Sequence, residues 1–271
     1  MLEQYFRHVL KQFGFDDVEK VLWSLGCSQG DGCSFTGYVD NESMGNLLPS
    51  FFPVDVKNAL HRVGNLTQHR YFSKLIQEMG CGFSIEQSGR YVHEKTMTID
   101  WDVDLEIASE EQGDLDDCQA LADILLEYSQ GVARKIEADG YKILDAFNQE
   151  EKEVWRFKTA KYLFRLFEIE EDPEDSFMSD WDEECLISTC VEMASGNIRI
   201  TGLKAEVFLL IDIKDETCLE EYEPLAEATL GGISYQMGDR YYSTCRRDLI
   251  SGLIFGVRES EEKSKTFPLA A

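Results

Sequence analysis

The sequence predicts an α+β fold: an antiparallel sheet packed against long helices, followed by a second, smaller α+β unit. Three observations predict it. Residues 91–106 alternate apolar and polar side chains, the period of a half-buried strand. From Ser109 the period changes to 3.6, with Leu115, Cys118, Leu121, Ile124, Leu125, Tyr128, Val132 and Ile136 on one stripe. Beyond residue 185, short strand-like and helical segments follow one another on a smaller scale.

Taken in order, Leu2, Phe6, Leu10 and Phe13 stand at helical spacing, so a short amphipathic helix opens the chain. Val21 to Asp40 reads as a hairpin, because Ser28-Gln29-Gly30-Asp31-Gly32 is dense in turn formers and apolar residues flank it. Residues 41–53, with Pro49 and Pro53, read as a loop. Residues 54–79 are predicted helical and end at Gly80-Cys81-Gly82. Phe83–Gln87 is a strand, Ser88-Gly89 a turn, and Tyr91–Glu106 the partner strand. The long helix from Ser109 stops at Asp139-Gly140, and a second helical region covers 143–168, where a strand over 154–164 is the competing reading. Glu168–Glu184 holds ten acids and no base, the composition of a linker. It divides an N-terminal domain, 1–167, from a C-terminal α+β domain, 185–257, with a polar tail over 258–271. In the second domain 185–194 is a short helix, Asn197–Ile213 two strands turning at Gly202, and 218–229 a helix broken by Gly231-Gly232.

Charge is the outstanding compositional feature. The 271 residues carry 26 basic and 52 acidic side chains, net −26. Residues 1–100 hold 9 and 12 of these, residues 101–271 hold 17 and 40. Such a balance speaks of partners and solubility, not of fold. It argues against direct binding of nucleic acid or anionic lipid and favours basic protein surfaces. No apolar run approaches the roughly 20 residues that span a bilayer, and the amino terminus lacks the uninterrupted apolar core of a signal peptide. Eight cysteines form no C-x-x-C pair. A cytosolic protein with reduced, mostly buried thiols is the expectation.

Two stretches carry a resemblance. Ser28-Gln29-Gly30-Asp31-Gly32-Cys33-Ser34-Phe35-Thr36-Gly37 and, further on, Ser88-Gly89-Arg90-Tyr91-Val92-His93-Glu94 resemble, in that order, a family of uncharacterised proteins encoded by phages, prophages and plasmids. The resemblance covers roughly residues 20–140. It implies origin on a mobile element and an accessory or counter-defence role, with no activity to carry over.

The chemistry-bearing candidates are acidic. On the strand, Glu94, Asp100, Asp102, Asp104 and Glu106 share one face, the last four at steps of about 6.7 Å. Glu110, Glu111, Asp114, Asp116 and Asp117 follow toward the helix, and residues 96–133 contain no base. One such row is sparser than duplex DNA, which carries a charge per about 1.7 Å, so neighbouring rows must join it. The reading is a non-enzymatic protein, without cofactor or metal, whose DNA-mimicking surface binds and inhibits a host DNA-binding or defence protein with a basic surface. Ser28, Gln29, Gly30, Asp31 and Gly32 form its second contact loop. Two alternatives stand beside it: a metal-dependent phosphoesterase or nuclease with Asp31, Asp100 and Asp102 as ligands, and a structural homo-oligomer whose acids solubilise it. His93 falls by parity on the apolar face, where a hydrogen-bonded histidine is expected rather than a general base. No G-x-S-x-G, H-E-x-x-H or P-loop occurs.

Overall fold

The computed structural model describes residues 1–26, 31–53, 59–102, 112–173, 178, 181–211, 213, 219, 222–236 and 238–266. Its internal contacts divide the chain into Met1–Tyr141 and Lys142–Ala271. The fold is α+β, with two four-stranded antiparallel sheets, one in each unit.

The first unit begins with α1 (Leu2–Gln12), whose Phe6 and Leu10 are fully buried. The hairpin follows as β1 (Val18–Ser24) and β2 (Gly32–Val39), paired antiparallel from Val18↔Gly37 to Ser24↔Gly32. Then come α2 (Asn41–Phe51), α3 (Ala59–Met79), β3 (Gly82–Gln87), a 3-10 turn at Glu94–Thr96, β4 (Met97–Asp102) and α4 (Gln112–Asp145). The sheet is a meander in the order β1-β2-β3-β4. Its helix-facing side meets α1 through Phe6 and Trp23, with ring centroids 5.7 Å apart. It meets α4 through Trp101, whose Nε1 donates to Gln119 Oε1 at 3.0 Å. Cys81 and Cys118 bring their buried Sγ atoms to 3.1 Å beside this contact.

Several elements differ from expectation. Residues 41–51 are a helix, because Asp40 caps it by accepting from Ser43 N at 2.8 Å and Met44, Leu47 and Leu48 bury one face. Pro49 sits in its last turn, near the end where helix hydrogen bonds run out anyway. Of the strand expected over 91–106, Met97–Asp102 forms a strand and 91–96 does not, while 103–106 lie outside the described residues. Asp139-Gly140 does not stop α4. Asp139 is buried, accepting from Tyr5 Oη at 3.1 Å and Lys135 Nζ at 2.6 Å. A Cβ on Gly140 would come within 2.7 Å of Leu25 and 2.9 Å of Phe6, so this glycine permits close packing.

The second unit contains β5 (Lys152–Lys158), β6 (Tyr162–Ile169), α5 (Glu183–Ala194), β7 (Ile198–Leu209), β8 (Ala226–Gln236) and α6 (Tyr241–Thr266). Its sheet order is β5-β6-β7-β8. Residues 152–158 and 162–169 are therefore strands, in line with the competing reading over 154–164 and not with the expected helix, and belong with the unit that starts at Lys142. Expected domain boundaries at 167 and 185 fall elsewhere: Glu168 and Ile169 are the last residues of β6. Gly202 lies inside the single strand β7 at a bulge, and Gly231-Gly232 lies inside β8. Within 218–229 the described residues include no α-helix. The expected tail is helical to Thr266. Leu253 and Val257 of α6 pack on Phe164, Leu166, Ala205 and Val207. Among the described residues no helix is long and apolar enough to cross a membrane.

Candidate functional site

Strand β4 is an edge of the first sheet. Along it Met97 is buried, while Thr98, Asp100 and Asp102 are exposed. Since Trp101 faces α4, the alternation of a strand sends Asp100 and Asp102 to the opposite, open side. Neither has a basic nitrogen within 4 Å among the described residues, where the first unit's lysine and arginine ion pairs involve Glu3, Glu78 and Asp139. Asp100 Oδ1 accepts from the backbone N–H of Trp101 at 3.0 Å.

The same open side carries an aromatic group that sequence reasoning passed over. Tyr38 on β2 pairs with Ser84, and Ser84 with Asp100, so the three share a row. Tyr38 is 41% exposed. Its ring crosses Gly82, which opposes Asp102, and a side chain on Gly82 would collide with the phenol. Partial burial, then Asp102 and Asp40, hold the Tyr38 phenol above its ordinary range. Tyr38 is thus an exposed ring beside Asp102 and, across Ser84, in the row of Asp100; Glu86 and Thr98 form the next row of the same face.

The acids of α4 leave the other side of the sheet. Asp116 is exposed. Asp117 accepts a hydrogen bond from Tyr71 of α3. Asp123 accepts from Gln119 Nε2 at 3.0 Å, one residue removed from the Trp101 contact. The acids therefore wrap around β4 instead of forming one flat row. Asp104, Glu106, Glu110 and Glu111, and the side chain of Asp114, lie outside the described residues. Glu94 departs from the row altogether. It stands in the 3-10 turn, its side chain is 14% exposed, and its Oε2 is 3.7 Å from His93 Nδ1.

The two segments of the resemblance meet at a different point. A Cβ on Gly32 would lie 2.5 Å from His93 Cβ and 2.7 Å from the Val92 carbonyl, so the β2 backbone is pressed against the Val92-His93 backbone. His93 is not on a core face. Its Nδ1 accepts from Lys95 N at 3.0 Å, which caps the 3-10 turn and leaves Nε2 as the protonated nitrogen of the neutral ring. Asp31 closes the hairpin, accepting from Ser24 Oγ at 3.2 Å, Gly26 N at 2.9 Å and Tyr141 Oη of α4 at 3.3 Å. Glu137, one turn before Tyr141, belongs to the same group. Burial, then Glu94 and Asp31, raise its pKa, while His93 opposes the rise. Burial and Glu137 push the neighbouring Cys33 thiol up to about 12. Asp31 and Gly32 are thus joint residues of the fold; Ser28, Gln29 and Gly30 lie outside the described residues. Glu137 and Tyr141 escaped sequence reasoning because nothing in the linear pattern links positions a hundred residues apart.

The ligand set Asp31, Asp100 and Asp102 does not converge. Tyr38 shares the row of Asp100, and it stands six steps along β2 from Gly32, about 20 Å at strand rise. Among the described residues no group of three His, Cys, Asp or Glu side chains is placed to hold a metal.

The second sheet provides a contrast. Arg165 bridges Glu153 at 2.7 Å and Glu206 at 3.7 Å, Lys204 meets Glu206 at 2.8 Å, and Arg156 meets Glu153 at 2.6 Å. Glu153 and Glu206 there are matched by bases. On the open side of the first sheet Asp100 and Asp102 have no base within 4 Å among the described residues, and Lys20 stands on the same face at the far strand β1.

A family model with the description "Domain of unknown function (DUF8835)" matches residues 2–151. No curated protein and no solved structure matches the chain.

Proposed function

This chain belongs to the family described as a domain of unknown function (DUF8835), and from its own surface we propose that it is an accessory protein that binds a basic, phosphate-gripping groove of a DNA-binding protein. The observation that carries this reading is the outward, base-free placement of Asp100 and Asp102 beside the exposed ring of Tyr38. Unmatched carboxylates attract cationic surfaces over a distance set by ionic strength, and steer association more than they fix affinity. An exposed aromatic ring among them supplies the short-range contact, desolvated on binding, that charge alone lacks. No base occurs in residues 96–133, so β4 carries no cation of its own. The resemblance to mobile-element proteins directs the proposal toward a host defence or nuclease component, which the protein inhibits by occupying its DNA site in the host cytosol.

The experiment is capture from host lysate on the immobilised protein, at low salt and at about 0.5 M salt, where the screening length falls to a few ångströms. A DNA-binding protein retained by the parent, released by salt and not retained by Asp100→Asn/Asp102→Asn supports the reading. Retention by the double variant equal to that of the parent removes it. A symmetric self-assembly with no captured partner points instead to a structural oligomer.

A further inference from the structure

The first unit contains a cavity of about 450 Å³ formed by the ends of α1 and α2 and the middle of α4. Its size falls in the range of roughly 300–1,000 Å³ typical of small-molecule sites. The floor is aromatic. Tyr128 has its ring centroid 5.1 Å from Phe51 and 6.4 Å from Phe13, both tilted edge to face. The Tyr128 hydroxyl donates to the Phe13 carbonyl at 3.1 Å, so the ring is anchored and its polar end is already used. Gly131 keeps the α4 wall open: a Cβ there would meet nothing nearer than Arg134 Nη2, at 3.8 Å.

The rim carries Glu127, Arg134 and Lys135. Lys135 is engaged with Asp139 at 2.6 Å. Arg134 is exposed and has no carboxylate within 4 Å among the described residues, in a chain with two acids for every base. Its guanidinium is a planar fork suited to a carboxylate or sulfonate. Glu127 at the same rim, and the net charge of −26, oppose ligands bearing several negative charges.

We infer that this cavity binds a small flat aromatic monoanion, its rings against Phe51 and Tyr128 and its carboxylate or sulfonate on Arg134. The site is independent of the acidic edge at β4 and of any protein partner.

The test uses the full chain and two fluorescent probes: 8-anilinonaphthalene-1-sulfonate, and N-phenyl-1-naphthylamine, which has the same rings without the sulfonate. Both are expected to saturate one site. Arg134→Gln weakens the sulfonate about tenfold, the value of a charge-assisted hydrogen bond, and leaves the neutral probe unchanged. Gly131→Leu fills the opening and abolishes saturable binding of both, while far-ultraviolet circular dichroism and the melting temperature are retained, since glycine is a poor helix former. The inference is overturned if neither probe saturates, if Gly131→Leu folds and still binds, or if Arg134→Gln binds the sulfonate as tightly as the parent does.

Discussion

Gly32 is the residue at which two remote segments touch. Any side chain there must displace Val92 and His93, because a Cβ would stand 2.5–2.8 Å from three of their atoms. Gly32→Ala is therefore expected to destabilise the first unit by about 1–3 kcal/mol, the usual cost of overpacking. Urea denaturation measures it, and an unchanged midpoint contradicts the contact. Glu137 makes a second prediction. Its pKa is raised by burial, Glu94 and Asp31, so the folded chain holds its proton more tightly than the unfolded chain does. Stability must then fall as pH rises from the ordinary carboxylate value through the raised one. Glu137→Gln is expected to melt higher than the parent at about pH 7, with the gain vanishing toward about pH 4 where both side chains are neutral. Thermal melts across that range decide it, and a gain that is the same at both ends counts against the charge cluster.

The elements show what the sequence made legible and what it hid. The hairpin, β3, the core of β4, α1 and α5 were readable, because turn formers and amphipathic periods are local signals. Strand β6 was not. Its buried residues Leu163, Phe164, Leu166 and Phe167 face both sides of the sheet, and spacings of one, two, three and four positions imitate a helix. A bulge between Glu153 and Trp155 disrupts the alternation of β5 as well. Glycines misled in the same manner: Gly140 and Gly202 look like stops, yet each accommodates a neighbouring side chain inside a continuing element. Helix α2 was hidden by its proline, although its cap was present in the sequence as Asp40. That cap yields a prediction. Ser43 N–H donates to Asp40, and these hydrogen bonds hold the Asp40 carboxyl below its ordinary range. Asp40→Ala should cost about 1 kcal/mol at neutral pH. A group with a depressed folded pKa contributes stability above its unfolded value and loses it as pH falls through the folded one. The difference between parent and variant must therefore shrink in acid; melts at neutral and acid pH show whether it does. On β4, parity alone puts Asp100 and Asp102 on the exposed face. It fails at Glu94, which stands in the 3-10 turn before the strand begins.

For the whole molecule, the net charge alone is a poor guide to where a partner would bind. The excess appears concentrated after residue 100, yet Met1–Tyr141 holds 11 bases and 24 acids and Lys142–Ala271 holds 15 and 28, the same deficit of 13 in each unit. What differs is the pairing. The second sheet matches Glu153 and Glu206 with Arg156, Arg165 and Lys204. The first leaves Asp100 and Asp102 without a base on an edge strand. Charge on an edge also discourages strand addition, so the double Asp→Asn variant serves two purposes. If the carboxylates only guard the edge, light scattering will show the variant self-associating while partner binding persists. If they steer a partner, binding falls and its salt dependence flattens, while Tyr38→Ala weakens binding with the salt dependence intact.

The most direct measurement is competition. The captured complex is titrated with duplex DNA of arbitrary sequence at fixed ionic strength, and release of the partner is followed. The account predicts that duplex displaces the acidic protein fully and competitively, because both occupy one basic groove. A partner that holds duplex and this protein together, neither weakening the other, would contradict it.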